Sequence, residues 1–108
     1  MAERFSSFED FWPFYLREHA RPETRAVHVA GTWAAAAALL AGLLTGAWWA
    51  VLAAPAIGYG CAWASHALIE RNRPATFAHP AWSLRGDLRL ARLAASGRLG
   101  AELRRNGL

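Results

Sequence analysis

The sequence predicts an all-α fold: a two-span transmembrane helical hairpin flanked by N- and C-terminal amphipathic helices at the membrane interface. Three observations lead there. The run from Ala26 to Ile69, 44 residues, carries no formal charge. As helix at about 1.5 Å per residue it measures roughly 66 Å, two crossings of a roughly 30 Å hydrocarbon layer. All of the charge, twelve arginines and eight carboxylates in 108 residues, lies outside that run. The flanking segments set apolar residues among charged ones at helical spacing. At this length a single membrane domain, 1–108, is expected.

From the N-terminus, an interfacial helix is expected over about 6–19. Its start is capped either by Ser6 with Glu9, as a capping box, or by Asp10, which places Pro13 early in the helix. Phe8, Phe11, Trp12 and Tyr15 give it an aromatic face suited to the lipid boundary. Span 1 is expected over about 27–44. It is alanine-rich and holds Gly42 and Gly46 in G-x-x-x-G spacing, which lets helix backbones approach closely. That spacing is expected to pack the hairpin against itself and leaves room for a homo-oligomer. The reversal is expected at Thr45 to Trp49, where a glycine breaks the helix and paired tryptophans favour the headgroup level. Span 2 follows over about 49–69, kinked but not ended by Pro55. After a loop, 70–83, a basic amphipathic helix is expected over 84–105, with Leu84, Leu88, Ala91, Ala95, Leu99 and Leu103 at helical spacing among arginines.

Arg4, Arg17, Arg21 and Arg25 precede the hairpin and the other eight arginines follow it, while the turn carries no charge. The positive-inside rule then puts both termini on the cytoplasmic side of the cytoplasmic membrane. The lipid bilayer is the expected partner of this basic surface. Nucleic acid is not, because no base-stacking or groove-reading module accompanies the charge. No signal peptide is expected, since the first twenty residues carry Glu3, Glu9, Asp10 and Glu18 and lack an early apolar core. The single Cys61 excludes an intramolecular disulfide.

On this hairpin the four histidines, His19, His28, His66 and His79, all reach one membrane face. His28 and His66 lie about one helical turn, roughly 5 Å, below the polar boundary. Ionisable groups beside or within membrane spans usually mark function. Gathered imidazoles suit a borderline transition metal such as iron, copper or zinc. Glu70, four residues after His66, shares its helical face and could ligate or orient a ligand histidine. Glu18 beside His19 has the same two options, and Asp87 could simply cap the final helix. The spacing matches neither a zinc finger nor an H-E-x-x-H site.

Two stretches, FWPFYLREHARPETRAVHVAGT (Phe11 to Thr32) and GYGCAWASHALIERNRPATFAHPAWSLRGD (Gly58 to Asp87), resemble the 2-hydroxy fatty acid dioxygenase family of fungal endoplasmic reticulum and its small bacterial relatives. The matching positions are Phe14, Tyr15, His19, Pro22 and His28, then His66, Glu70, Arg73, Pro74 and Ala75. The fungal proteins carry additional apolar sequence between the two motifs and lack a clear counterpart of His79. The resemblance implies an iron(II)-dependent α-oxidation in the bacterial inner membrane, in which O2 shortens a 2-hydroxy fatty acid by one carbon.

Under that reading a 2-hydroxy acid chelates through hydroxyl and carboxylate and O2 takes one more position, so an octahedral Fe(2+) has three sites for protein. His19, His28 and His66 fill them, and His79 is either a labile fourth ligand or a hydrogen-bonding group nearby. Arg73 or Arg71 could meet the substrate carboxylate, or equally a lipid phosphate. Asn72 and Pro74 are expected to shape the loop. Two other classes stay open: a haem-binding or other metal-binding membrane protein, and a non-catalytic small membrane protein.

Overall fold

In the computed structural model, which describes residues 5–108, the chain is all-helical. Five α-helices follow in order: α1 Phe8–Glu18, α2 Pro22–Thr45, α3 Trp48–Ser65, α4 Pro80–Ala95 and α5 Leu99–Arg105. A π-helical turn, His66–Glu70, prolongs α3, and a 3-10 turn, Ala75–Phe77, lies in the loop before α4. Glu3 and Arg4, which entered the reading of charge, lie outside the described residues.

Helices α2 and α3 form the hairpin. α2 stops at Thr45 because Gly46 takes a left-handed conformation, φ 74°, which glycine adopts without steric cost. The reversal thus falls where the sequence places it. Packing is antiparallel and very close: a Cβ on Gly42 would meet Val51 at 2.7 Å, and one on Gly31 would meet Cys61 at 2.6 Å. Between those levels a Cβ on Gly58 would sit 3.6 Å from that of Ala35. Small residues therefore let the two backbones touch. The G-x-x-x-G pair divides its roles, Gly42 packing inside the chain and Gly46 making the turn. Continued past Gly31 and Cys61, the same register brings His28 level with His66.

By length and composition α2 can cross a membrane, and among the described residues it is the one helix that meets that measure. α3 is apolar but shorter, 18 residues. The structure therefore contains one candidate span packed along a second apolar helix. Large apolar side chains around the turn, including Leu44, Trp48, Trp49 and Leu52, face outward.

The flanks depart from expectation in instructive ways. The N-cap of α1 is Ser7, not Ser6 or Asp10: its Oγ accepts from the Asp10 N–H at 3.1 Å, and the Ser6 hydroxyl turns to the Asp10 carboxylate. α2 begins at Pro22, ahead of the charge-free run, because proline suits the first helical turn and Glu23 and Arg25 are tolerated there. The expected helix over 84–105 is two helices. Pro80 starts α4 early, and Gly97, φ 74°, separates α4 from α5.

The aromatic face of α1, expected on lipid, is turned into a protein core. Phe8, Phe11, Trp12, Tyr15 and Leu16 pack with Ala75 and Leu90, and Tyr15, Phe11, Leu16 and Leu90 are fully buried. The reason is that α4 offers an apolar counter-face, and burying each large side chain there contributes about 1.5–3 kcal/mol. Arg85 and Arg89 place their guanidinium groups over the Phe8 ring at 4.2 and 5.3 Å, roofing the core. α5 folds back until the Trp12 indole N–H donates to Glu102 Oε2 at 2.6 Å.

Gly31→Ala is expected to destabilise the purified protein by about 1–3 kcal/mol, because the added methyl collides with Cys61. Gly60→Ala meets nothing within 4 Å and should be neutral or stabilising. Thermal unfolding that ranks the two variants the other way would contradict the hairpin register.

Candidate metal centre

Three elements each deliver one histidine. His19 ends α1 as its C-cap, His28 lies one turn into α2 beyond Thr24, and His66 opens the π-turn after α3. Their relative exposures are 1%, 4% and 2%. Two contacts set the elbow between α1 and α2. The Arg25 guanidinium donates to the carbonyls of His19 and Ala20 at 2.9 and 2.8 Å. The Glu70 carboxylate accepts from the Arg21 N–H at 2.9 Å, where negative charge suits the start of α2.

The hydrogen bonds fix which nitrogen of each ring donates. His19 Nδ1 lies 2.6 Å from the Tyr15 carbonyl oxygen, His28 Nδ1 lies 3.1 Å from Asp87 Oδ1, and His66 Nδ1 lies 2.6 Å from Asn72 Oδ1. A carbonyl and a carboxylate only accept, so Nδ1 donates in the first two. Asn72 settles the third: its Nδ2 donates to the Glu18 carbonyl at 3.0 Å, so its oxygen must be the atom facing His66. Each neutral imidazole with its proton on Nδ1 has its lone pair on Nε2.

Those Nε2 lone pairs converge. One ligand atom from each histidine lies within 4.8 Å of the others, and His19 Nε2 is 3.1 Å from His66 Nε2. His28 Nε2 is buried with no hydrogen-bond partner. With both Nδ1 protonated, no hydrogen is left to lie between His19 and His66, so two lone pairs face each other. A cation removes both problems: metal–nitrogen distances of about 2.0–2.1 Å put neighbouring ligand nitrogens about 3 Å apart. The donor set fits a transition metal, and oxygen acceptors on the far ring nitrogens are the usual support for ligating histidines.

Burial and the neighbouring His28 hold the His19 pKa well below the ordinary histidine value, against the opposing pull of the Tyr15 carbonyl. It is therefore a neutral donor. Burial, then the charge of Asp87, pushes the Tyr15 pKa well above its ordinary value, so its hydroxyl remains a donor to Asp87. α4 reaches Tyr15 because it carries no side chain at Gly86, where a Cβ would lie 2.7 Å from the ring.

The model of the 2-hydroxy-palmitic acid dioxygenase Mpo1-like family matches residues 5–99. The chain belongs to the Mpo1-like family. No curated protein and no solved structure matches it. Membership indicates a role related to 2-hydroxy fatty acid dioxygenases, and the histidine triad is a place where this Mpo1-like chain could hold a metal.

Of the expected site residues, the Mpo1-like fold brings together His19, His28 and His66. His79 is not one of that group; it is the N-cap of α4, stacked on Trp82 at 5.6 Å and edge-on to Phe5 and Phe11. Glu70 binds the Arg21 backbone, and Arg73 is exposed with its guanidinium 5.0 Å from the Phe77 ring centre. Asp87 lies well inside α4 rather than at its start, and so orients His28 instead of capping the helix. Asn72 does more than shape the loop. The π-turn ends with Arg71 at φ 61°, and the N–H groups of Arg71 and Asn72 both return to the His66 carbonyl, which folds the Asn72 amide against the ring. A signal for the Asp87 contact does exist in the sequence. Gly86 is an isolated glycine within a helical pattern, which marks close packing.

Asp87→Asn and Asn72→Leu are each expected to weaken divalent-metal affinity about 10- to 100-fold. Glu70→Gln, whose oxygen still accepts from Arg21, should leave it unchanged. Chelator competition against a metal-sensing dye measures all three. Equal loss in the Glu70 variant would show that the effect is general unfolding.

Proposed function

We propose that the protein is an iron(II)-dependent membrane dioxygenase that shortens 2-hydroxy fatty acids by one carbon. The observation that carries this reading is the convergence of one ring nitrogen from each of three buried histidines, with His28 Nε2 left without a partner, in a member of a 2-hydroxy-palmitic acid dioxygenase-like family. His19, His28 and His66 would hold the ion. When bound, iron(II) supplies redox chemistry with O2 and open positions for the hydroxyl and carboxylate of the substrate. The chain's own residues do the rest. Tyr15, Asp87 and Asn72 fix the three rings, and the aromatic core of α1 with α4 keeps water from one side. Thr24, one helical turn before His28 and fully buried, has a hydroxyl with no partner and can donate to an oxygen of the bound acid. Three ring nitrogens within 4.8 Å leave no slot for a macrocycle between them, which favours a single ion over haem.

The hairpin is the membrane anchor in this reading. Only 17% of the apolar window of α2 is buried within the chain, unlike a core helix, and Leu44, Trp49 and Leu52 are more than two-thirds exposed at 77%, 76% and 75%. Lipid is the medium that suits such a surface. The histidines sit at the opposite end from the turn, among the arginines, at the cytoplasmic boundary of the inner membrane. There a fatty acid can present its head while its tail remains in lipid.

Two experiments test the proposal. In a Cys61→Ala background, a cysteine at Thr45 should label from the periplasmic side and one at Ser96 from the cytoplasmic side; labelling of both from one side overturns the two-span hairpin. Protein purified anaerobically and loaded with ferrous iron should consume O2 and shorten 2-hydroxypalmitate by one carbon. Alanine at His19, His28 or His66 should remove most of the iron, whereas His79→Ala should retain it. Full iron and full turnover in all four variants would eliminate the shared site.

A further inference from the structure

An apolar cavity of about 620 Å³ runs along the hairpin. Its walls include Thr32 and Leu39 from α2, Leu52 and Gly58 from α3, and Leu84 and Leu88 from α4. Asp87 is the one charged side chain in its lining. That carboxylate is the same group that accepts from His28 Nδ1. The cavity therefore ends at a side chain that orients one ring of the candidate metal centre, and the rest of its lining is uncharged. Along α2 the lining runs from Thr32 to Leu39, roughly 10 Å at about 1.5 Å per residue, and His28 lies one helical turn beyond Thr32. Leu84 and Leu88 are each 50% exposed and border the cavity, so an occupant would cover them.

We propose that this cavity is the acyl channel of the enzyme, in which one unbranched tail lies between α2, α3 and α4 while its acid head reaches the histidines. The inference rests on the reading that a 2-hydroxy fatty acid is the substrate. The occupant is a single-chain acid rather than a two-tailed lipid, because Asp87 is the one charged group in the lining and no arginine lies there to hold a phosphodiester headgroup. Small residues keep the channel open: Ala35 and Gly58 face each other across its floor. Within a membrane, moving a tail from lipid into an apolar channel brings little hydrophobic gain. Selection for chain length is then steric, and the residues that set it are those that narrow or fill the channel.

The test uses the full chain, metal-loaded, in phospholipid nanodiscs, with a palmitic acid analogue bearing a photoreactive diazirine near its tail end. Labelling is expected at Leu39, Leu52 or their neighbours, and should be displaced by 2-hydroxypalmitate but not by added phospholipid. Gly58→Leu fills the channel from within, and Leu84→Trp fills it from a half-exposed position that leaves the hairpin packing untouched. Either should reduce palmitoyl-probe labelling about tenfold or more, with bound metal unchanged and 2-hydroxyoctanoate still accepted. Undiminished labelling in both variants, adducts spread over Leu44 and Trp49, or displacement by phospholipid overturns the channel. Turnover of 2-hydroxypalmitate without channel labelling would sink the channel alone. Channel labelling without turnover of any 2-hydroxy acid would sink the proposed reaction and leave a fatty-acid site.

Discussion

A neutral imidazole has one hydrogen and one lone pair, and in this protein all three buried hydrogens go outward to oxygen atoms. The acceptors are the Tyr15 carbonyl, the Asp87 carboxylate and the Asn72 amide oxygen. The lone pairs must then face inward, and the fold closes over them. A buried acceptor without a donor costs about 1–3 kcal/mol, and here two lone pairs also repel across 3.1 Å. A cation would convert that destabilisation into binding energy. Metal binding would then be linked to folding, since the three histidines are gathered only in the folded chain.

The groups that orient His28 and His66 also join separate helices. Asp87 on α4 takes hydrogens from Tyr15 on α1 and His28 on α2. Asn72 in the loop accepts from His66 and donates to the last turn of α1. Glu70 holds the start of α2, and Arg25 holds the end of α1. Loosening any one of these contacts moves a ligand relative to the other two. The aromatic core of α1 with α4 supplies the rigidity, because Tyr15 belongs to that core, stacks on the His19 ring at 4.0 Å and bonds to Asp87.

The parts of the fold readable from sequence are those governed by local rules. Gly46 ends α2 because a left-handed residue is needed there, and the small residues of span 1 do pack the hairpin. His19, His28 and His66 share one end of the molecule because charge-free runs have a length and a direction. What escaped is non-local. The inward turn of the α1 aromatics depends on α4 lying opposite, and amphipathicity alone does not distinguish a protein partner from a lipid one. The π-turn that carries Asn72 back to His66 has no sequence rule behind it. His79 resembled a fourth ligand on charge and position alone, yet its ring lies among Phe5, Phe11 and Trp82. Ser7 instead of Ser6 at the cap is an error of one residue of the kind to which helix ends are prone.

The charge of the centre follows from its ligands. Three imidazole ligands would leave a divalent ion with its full charge, whereas a two-histidine, one-carboxylate site would cancel part of it. Asp87 stands one hydrogen bond away and offsets one unit through the His28 ring. Glu70, which could have supplied a second, is turned to the Arg21 backbone. With such an ion bound, the centre would retain positive charge at the edge of an apolar hairpin, where the local dielectric is low and an uncompensated charge is costly. The ligand that would relieve it most effectively is an anion bearing an apolar tail. Its head would neutralise the ion, and its chain would ask for none of the hydrogen bonds that α2 and α3 are unable to provide.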